Sequence, residues 1–241
     1  MPPKVSIVVA TYGRFDYFKQ LVESCRVFPP DSYEIIAVSS DPIDSEKGYW
    51  LRHQPNLSVI FSGIRQPGQH RSRSLYAFEN EGIKMAFGEW IFVTNDDTQL
   101  DPLFMFQLNE VDKDCDVIMV NGHLGDVGLG CRTAVIGHVT PPGGPQRPLY
   151  LYDFTIIQKS VYERIGYLDE GLDWFGKGFD LAMACETCPG LRIRYESDLK
   201  VNHAIAAENR RPPHYARDFQ YATLKWNKWC AEHGWSYSWP W

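Results

Sequence analysis

The chain has 241 residues, 44% of them hydrophobic and 14% aromatic, and a formal net charge of −6. That length suits one large α/β domain or two small ones, with enough apolar residues for a proper core. The acidic balance argues against a nucleic-acid surface, which needs a basic footprint, and no apolar run reaches the roughly 18 residues of a transmembrane helix.

The amino terminus, Met1-Pro2-Pro3-Lys4, lacks a signal-peptide pattern and leads straight into a strand. Val5 to Ala10 is a continuous apolar run, fit for the centre of a parallel sheet. After the short loop Thr11-Tyr12-Gly13-Arg14, apolar residues at Phe15, Phe18, Leu21, Val22 and Cys25 predict a helix over 15–26 with one buried face. Tyr33 to Val38 is a second strand, ending in Ser39-Ser40-Asp41. This strand–helix–strand order, with its right-handed crossover, puts both strand ends on one edge. Leu57 to Phe61 gives a third strand. Ser72 to Phe87 reads as a helix that Gly88 stops.

The most informative stretch follows, Trp90-Ile-Phe-Val-Thr-Asn-Asp-Asp97. An apolar strand runs out into polar residues and ends on two adjacent carboxylates. In open α/β sheets ligands sit outside the carboxyl ends of strands. Adjacent carboxylates there repel unless a cation or hydrogen-bond donors hold them, and Mg²⁺ or Mn²⁺ commonly bridges such a group to a substrate phosphate. The plainer alternative is an acidic turn before a helix that starts at Asp101-Pro102.

Beyond the strand Val117–Val120 the alternation breaks. Gly122 to Gly144 holds seven glycines and is expected to be a long loop over the active face. Leu149 to Ile157 is strand-like, Ser160 to Ile165 a short helix closed by Gly166, and Phe179 to Cys185 helical. Arg192–Tyr195 and Leu199–Asn202 are short strands, and His214 to His233 a last helix. Six cysteines spread along the chain form no dense disulfide framework, which predicts a reducing, cytoplasmic compartment. The lone Cys185-x-x-Cys188 predicts helix-end packing instead of a zinc site. The tryptophans at 226, 229, 235, 239 and 241 leave three uses open: core packing, a sugar-stacking platform, or peripheral membrane contact. A single domain is expected.

With these pieces in order, the chain resembles the GT-A fold family 2 glycosyltransferases. The resemblance rests on Val5-Ser-Ile-Val-Val-Ala-Thr-Tyr-Gly-Arg14, Asn80-Glu-Gly-Ile-Lys-Met-Ala-Phe-Gly-Glu-Trp90, and Asn95-Asp96-Asp97 with Pro102 downstream. Ile165-Gly-Tyr-Leu-Asp-Glu170 and Trp174-Phe-Gly-Lys-Gly-Phe-Asp-Leu181 extend it more loosely. Family members often carry Asn where Gly13 stands, and Asp-x-Asp where this chain has Asn95-Asp96-Asp97. The resemblance implies an open, mixed but mostly parallel sheet flanked by helices, with a donor-binding half over about 1–103 and an acceptor-binding half over about 104–241.

It further implies a metal-dependent, inverting transfer of sugar from a nucleotide-sugar, most readily a UDP-sugar, to a hydroxyl of a glycan or glycoconjugate. Thr11, Tyr12, Arg14, Asp41, Arg71, Arg73, Asn95 and Asp96 would bind the donor, Thr11 and Asp41 at the base. Arg71 and Arg73 lie at a helix start, where a planar guanidinium and the helix dipole both suit phosphate. Asp97 would coordinate Mn²⁺ or Mg²⁺. His203, after a late strand, is a second metal candidate, because imidazole is an acceptable Mn²⁺ ligand. Arg210-Arg211 has the makings of a flap over the diphosphate. The family's acceptor base belongs to a Glu-Asp pair ahead of a helix. Aligned on Gly178-Phe179-Asp180, this chain offers Asp180. Aligned ungapped from Asp169-Glu170, it offers Lys177-Gly178, with Asp173 in reserve. The broken pair keeps alive a nucleotide-sugar-binding protein that has lost transferase activity. A nucleotidyltransferase would want a Gly-rich, Lys-bearing loop after the first strand, which Thr11-Tyr-Gly-Arg14 is not.

Overall fold

The computed structural model describes residues 3–11, 13–39, 45–61, 74–111, 114–124, 130–131, 135–150, 152, 154–172, 176–203 and 215–238. Strand β1 (Val5–Thr11) pairs in parallel with β2 (Tyr33–Ser39) and with β4 (Trp90–Asn95), and β2 pairs in parallel with β3 (Leu57–Phe61). Beyond β4 lies β10 (Thr155–Gln158), antiparallel to both β4 and β6 (Val117–Leu124). β11 (Ile193–His203) runs parallel to β6, and β5 (Thr98–Leu100) closes that edge antiparallel to β11. The main sheet thus has the order β3-β2-β1-β4-β10-β6-β11-β5. It is the mixed, mostly parallel sheet that the resemblance implies.

The mostly apolar run of β1, interrupted by Ser6, follows from burial on both faces. On one side Val8 lies in the buried cluster built with Tyr76 and Ile83 of α3 (Leu75–Met85), a cluster that extends to α6 (Lys177–Thr187) and α7 (Tyr215–His233). Ile7 and Val9 pack with Phe18 and Leu21 of α1 (Phe15–Ser24) and with Phe104 and Leu108 of α4 (Phe104–Val111) on the other. Successive strand residues point to opposite faces, so a strand covered by helices on both sides is nearly continuous in apolar residues. Buried Ser6 is accommodated by its hydrogen bonds.

Several boundaries differ from expectation. The helix over 15–26 ends at Ser24 and tightens into a 3-10 turn, Cys25–Val27. A short helix α2 (Ser45–Arg52) and the three-residue β5 carry too little apolar periodicity to be read from sequence. The Gly122–Gly144 stretch is not one long loop. It contains the end of β6, β7 (Gly130–Cys131) paired to it, and β8 (Val135–Thr140). β8 joins β9 (Arg147–Tyr150) and β12 (Ser236–Ser238) in a second, antiparallel sheet. Ile136, Val139 and Leu149 anchor that sheet in the core shared with α6 and α7. Buried neighbours outweigh glycine content in this stretch. The Leu149–Ile157 segment accordingly divides between β9 and β10, which belong to different sheets. In contrast, Arg192–Tyr195 and Leu199–Asn202 are one strand, β11, interrupted by a register shift between Tyr195 and Lys200. The short helix α5 (Lys159–Ile165) ends where expected, on Gly166 at φ +84.

Gly88 does not terminate α3 through a special backbone conformation. Its amide donates to Ser6 Oγ at 2.8 Å, and an added Cβ would meet the backbone nitrogen of Ser6 at 2.6 Å. Two main chains approach too closely there for any side chain. Gly88→Ala is expected to destabilise the fold by about 1–3 kcal/mol, the usual cost of overpacking, read as a lowered midpoint in urea unfolding. An unchanged midpoint would mean the two segments part freely.

The C-x-x-C cysteines fall at the carboxyl end of α6, where the Cys188 amide donates to the Cys185 carbonyl. The tryptophans inside the described residues are packing groups. Trp226 is 5% exposed and Trp229 and Trp235 pack against the same core, which gives no support to a membrane foot. Trp239 and Trp241 lie outside the described residues. No helix among the described residues is long and apolar enough to cross a membrane.

Candidate active site

The carboxyl ends of β1, β4 and β11 meet on one edge of the sheet. Thr11 is the last residue of β1, Asn95 of β4 and His203 of β11. Asp96 and Asp97 form the turn between β4 and β5, and a hydrogen bond between the Thr94 and Thr98 hydroxyls, 2.9 Å, ties the ends of that turn. Because β5 pairs with the end of β11, Thr98 stands opposite His203 and Asp97 arrives beside it.

Gly13 has φ +72, a left-handed conformation that glycine and asparagine adopt far more readily than other residues. This accounts for a Gly where family members often carry Asn. The turn delivers Arg14 to the amino terminus of α1, with its side chain about a third exposed. A cation is poorly placed at a helix start, and this one is held by the two carboxylates instead. Arg14 Nε donates to Asp96 Oδ1 at 2.9 Å, and Nη2 bonds the same oxygen and contacts Asp97 Oδ2 at 2.9 Å.

The remaining carboxylate oxygens are taken as well. Thr11 Oγ1 donates to Asp96 Oδ2 at 3.0 Å, and His203 Nε2 meets Asp97 Oδ1 at 3.0 Å. Asn95 Nδ2 lies 3.3 Å from the same imidazole nitrogen, and the Phe154 ring stands edge-on to His203. Among the described residues, buried His203 Nδ1 has no hydrogen-bond partner.

Both aspartates are 5% exposed, yet they titrate differently. Burial pushes the Asp96 carboxyl above the usual range despite Arg14, with the neighbouring Asp97 charge adding to the rise. Burial acts the same way on Asp97, but the His203 hydrogen bond and the charges of His203 and Arg14 outweigh it and hold that carboxyl low. Asp97 is therefore the firmer anion of the two. This suits a hard-cation ligand, which must be deprotonated.

The residues fit a divalent cation in part. Asp97 Oδ1 and His203 Nε2, 3.0 Å apart, have the separation of neighbouring ligands on an octahedral ion at about 2.1 Å from each. Among the described residues no group of three His, Cys, Asp or Glu is arranged to hold a metal alone. A cation here would complete its shell with substrate oxygens and water, the usual habit of Mg²⁺.

Asp180 belongs to a different group. It lies in the first turn of α6, 5% exposed, and its Oδ1 accepts from Lys225 Nζ and Trp226 Nε1 of α7, each at 2.7 Å. Lys225 also bonds Asp169 Oδ2 at 2.7 Å, and Tyr221 Oη bonds the same carboxylate. Burial raises the Asp180 carboxyl above the ordinary range, opposed by Lys225 and Trp226. Nothing in the sequence pointed to Lys225, and Trp226 was marked only as one of a group of tryptophans, not as a partner of Asp180.

Lys177, which the ungapped alignment puts at the Glu-Asp pair, pairs with buried Glu79 of α3 at 3.0 Å. Asn80, next to it, donates to the Leu168 carbonyl and to Glu170, so α3 holds the segment that leads to α6. Tyr12, Asp41, Arg71, Arg73, Asp173, Arg210 and Arg211 lie outside the described residues. The structure therefore brings together Thr11, Arg14, Asn95, Asp96, Asp97 and His203, and sets Asp180 apart on α6.

The glycosyl transferase family 2 model matches residues 6–162. The chain belongs to that family. Within the family, the chain is 29% identical over 120 residues to EpsH of Bacillus subtilis (strain 168), named as a glycosyltransferase. That stretch is 49% of this chain and 33% of EpsH, so the family 2 chain spans about a third of its relative. Among solved structures, S. aureus TarS 1-349 in complex with UDP-GlcNAc superposes with a TM-score of 0.67 at 17% identity, over 92% of this chain and 66% of that one. The mannosyltransferase PcManGT from Pyrobaculum calidifontis, in complex with GDP-Man and Mn²⁺, gives 0.63 at 15% identity, over 95% of this chain and 65% of that one. At such identities the superpositions establish for the family 2 chain a shared GT-A fold.

Proposed function

We propose that this chain carries a metal-dependent, inverting glycosyl transfer from a nucleotide-sugar, by preference a UDP-sugar, to a hydroxyl on a glycan or glycoconjugate. The observation that carries the proposal is the convergence of Arg14, Asp96, Asp97 and His203 on the strand-end edge where open α/β sheets bind ligands. Membership of the family supports it, as do the nucleotide-sugars named for two proteins of like fold.

In this reading the acceptor oxygen attacks the anomeric carbon, the bond from that carbon to the diphosphate oxygen breaks, and the nucleoside diphosphate leaves. A cation held by Asp97 and His203 would supply positive charge to the diphosphate as it gains negative charge. Thr11, Tyr12, Asn95 and Asp41 serve the nucleoside and sugar, and Arg71 and Arg73 the phosphates. Asp96, fixed by Thr11 and Arg14, holds the ribose or sugar. Asp180 takes the acceptor proton. Its raised proton affinity makes it a better base than an exposed carboxylate, and Lys225 and Trp226 fix its orientation. Asp173 is the reserve.

Thermal unfolding with UDP, GDP, TDP and CMP, each with and without Mn²⁺, tests the reading. A ligand at about 100 times its dissociation constant adds roughly 2.7 kcal/mol. One nucleotide is expected to raise the midpoint and to need the metal, which also identifies the base. No shift with any of them would leave the strand-end acids structural. A donor-binding protein without transfer is the second reading, favoured by Lys177 being committed to Glu79. Metal-dependent nucleotide binding with neither transfer nor donor hydrolysis would select it.

A further inference from the structure

The contacts of the two strand-end carboxylates leave no oxygen free. Asp96 Oδ2 accepts from Thr11 and Asp97 Oδ1 faces His203, while the inner oxygens, Asp96 Oδ1 and Asp97 Oδ2, are both on Arg14. The guanidinium therefore already does what a divalent cation would do at this place. It neutralises a pair of adjacent carboxylates that burial would otherwise force apart or protonate. His203 meets Asp97 at a separation that a shared cation also allows. The Arg14 contact differs, since a cation of charge two and a guanidinium on one carboxylate repel strongly in a half-buried site.

We propose that Arg14 competes with the divalent cation for Asp97, so that the cation binds tightly only when a diphosphate is present to receive the guanidinium. The proposal rests on the cation reading of Asp97 and His203 given above. The side chain has the means to move. It is about a third exposed, it hangs from the turn at Gly13, and among the described residues it also lies over the face of the Tyr17 ring at 5.6 Å. A planar guanidinium exchanges a carboxylate for a phosphate with little loss, because both accept its paired donors. Cation and nucleotide would then bind as a coupled pair, each favouring the other by the same factor. Arg14 is in this sense a specificity-determining residue: it rejects the bare metal and accepts the metal with its diphosphate.

The test is Mn²⁺ binding alone, followed by the electron paramagnetic resonance of free Mn²⁺, with Arg14→Ala, Arg14→Gln and Asp97→Ala beside the wild type. The titrations are repeated with saturating UDP, or with whichever nucleotide raises the unfolding midpoint. Without nucleotide, both Arg14 variants are expected to bind Mn²⁺ about 10-fold or more tightly than wild type, within the usual range of coupling. With nucleotide the difference should shrink, and the nucleotide's own dependence on Mn²⁺ should fall by the same factor. Circular dichroism verifies that the variants are folded, and Arg14→Gln keeps the size and hydrogen bonding should Arg14→Ala fail. Equal or weaker Mn²⁺ affinity in folded Arg14 variants would overturn the competition and make Arg14 a plain clamp on the acids. Wild type binding no Mn²⁺ even with nucleotide, indistinguishably from Asp97→Ala, would overturn the cation reading itself.

Discussion

Asp97→Ala is expected to abolish the Mn²⁺ dependence of nucleotide binding, so that the added stability from nucleotide becomes the same with and without metal. The reason lies in the division of labour between the two acids. Asp97 is held low in proton affinity by His203 and Arg14, and its Oδ1 faces the imidazole at 3.0 Å. Asp96 is raised by burial and committed to Thr11 and Arg14. Removing Asp97 removes the ligand and leaves His203 without its carboxylate. Losing that carboxylate also leaves His203 Nε2 with only the longer contact to Asn95 Nδ2 at 3.3 Å, at a cost of about 1 kcal/mol. The variant should therefore unfold somewhat earlier than wild type before any ligand is added. Asp97→Asn separates these two effects, because the amide retains the hydrogen bond and the shape while giving up the charge. Asparagine should recover part of the lost stability and none of the metal response. An unchanged metal response in either variant would remove Asp97 as the ligand.

The second large effect is expected at Asp180. Asp180→Asn should leave donor affinity near wild type and lower transfer by about 100-fold or more, the loss that follows removal of a general base. A base works deprotonated, so transfer should rise with pH as Asp180 loses its proton. Burial places that limb above the ordinary carboxylate range, and the limb should be missing in the variant. The surroundings of Asp180 supply the contrary outcome. Its Oδ1 accepts from Lys225 and Trp226, which tie α6 to α7. If this carboxylate only fastens the two helices, Asp180→Asn would lower the unfolding midpoint while the folded fraction kept wild-type turnover and its pH profile. That result would move the search for the base to Asp173.

Much of the donor side could be read from residue order. Val5–Ala10 and Trp90–Asn95 announced central strands because both of their faces are buried, and such burial favours apolar residues at most positions. Ser6 and Thr94 are tolerated because their hydroxyls are hydrogen-bonded. A parallel sheet then confines ligand chemistry to one edge, so Asp96 and Asp97 were marked as site residues by being next in line, while Thr11 and Asn95 were marked by the family resemblance. His203 was legible for the same reason, as the last residue of a late strand. These are local facts about where a strand stops.

What the sequence could not supply was every relation between elements. The pairing of β5 with β11, which brings Asp97 to His203, joins segments more than 100 residues apart. Gly122–Gly144 looked like loop because its glycines hide two core residues, Ile136 and Val139, which lack a strand's period of two and belong to a strand whose partners are β9 and β12. Gly88 looked like a helix stop, and its reason is instead the backbone of Ser6. Lys225, Trp226 and the Glu79–Lys177 pair carry no local signature at all. The hold of Arg14 on both acids belongs with them. Residue order alone marked the central strands β1, β2 and β4, the residues at their ends, and the family resemblance. Tertiary structure alone decided which charge faces which, since electrostatics in a buried site depends on separations of a few ångströms between residues distant in the chain.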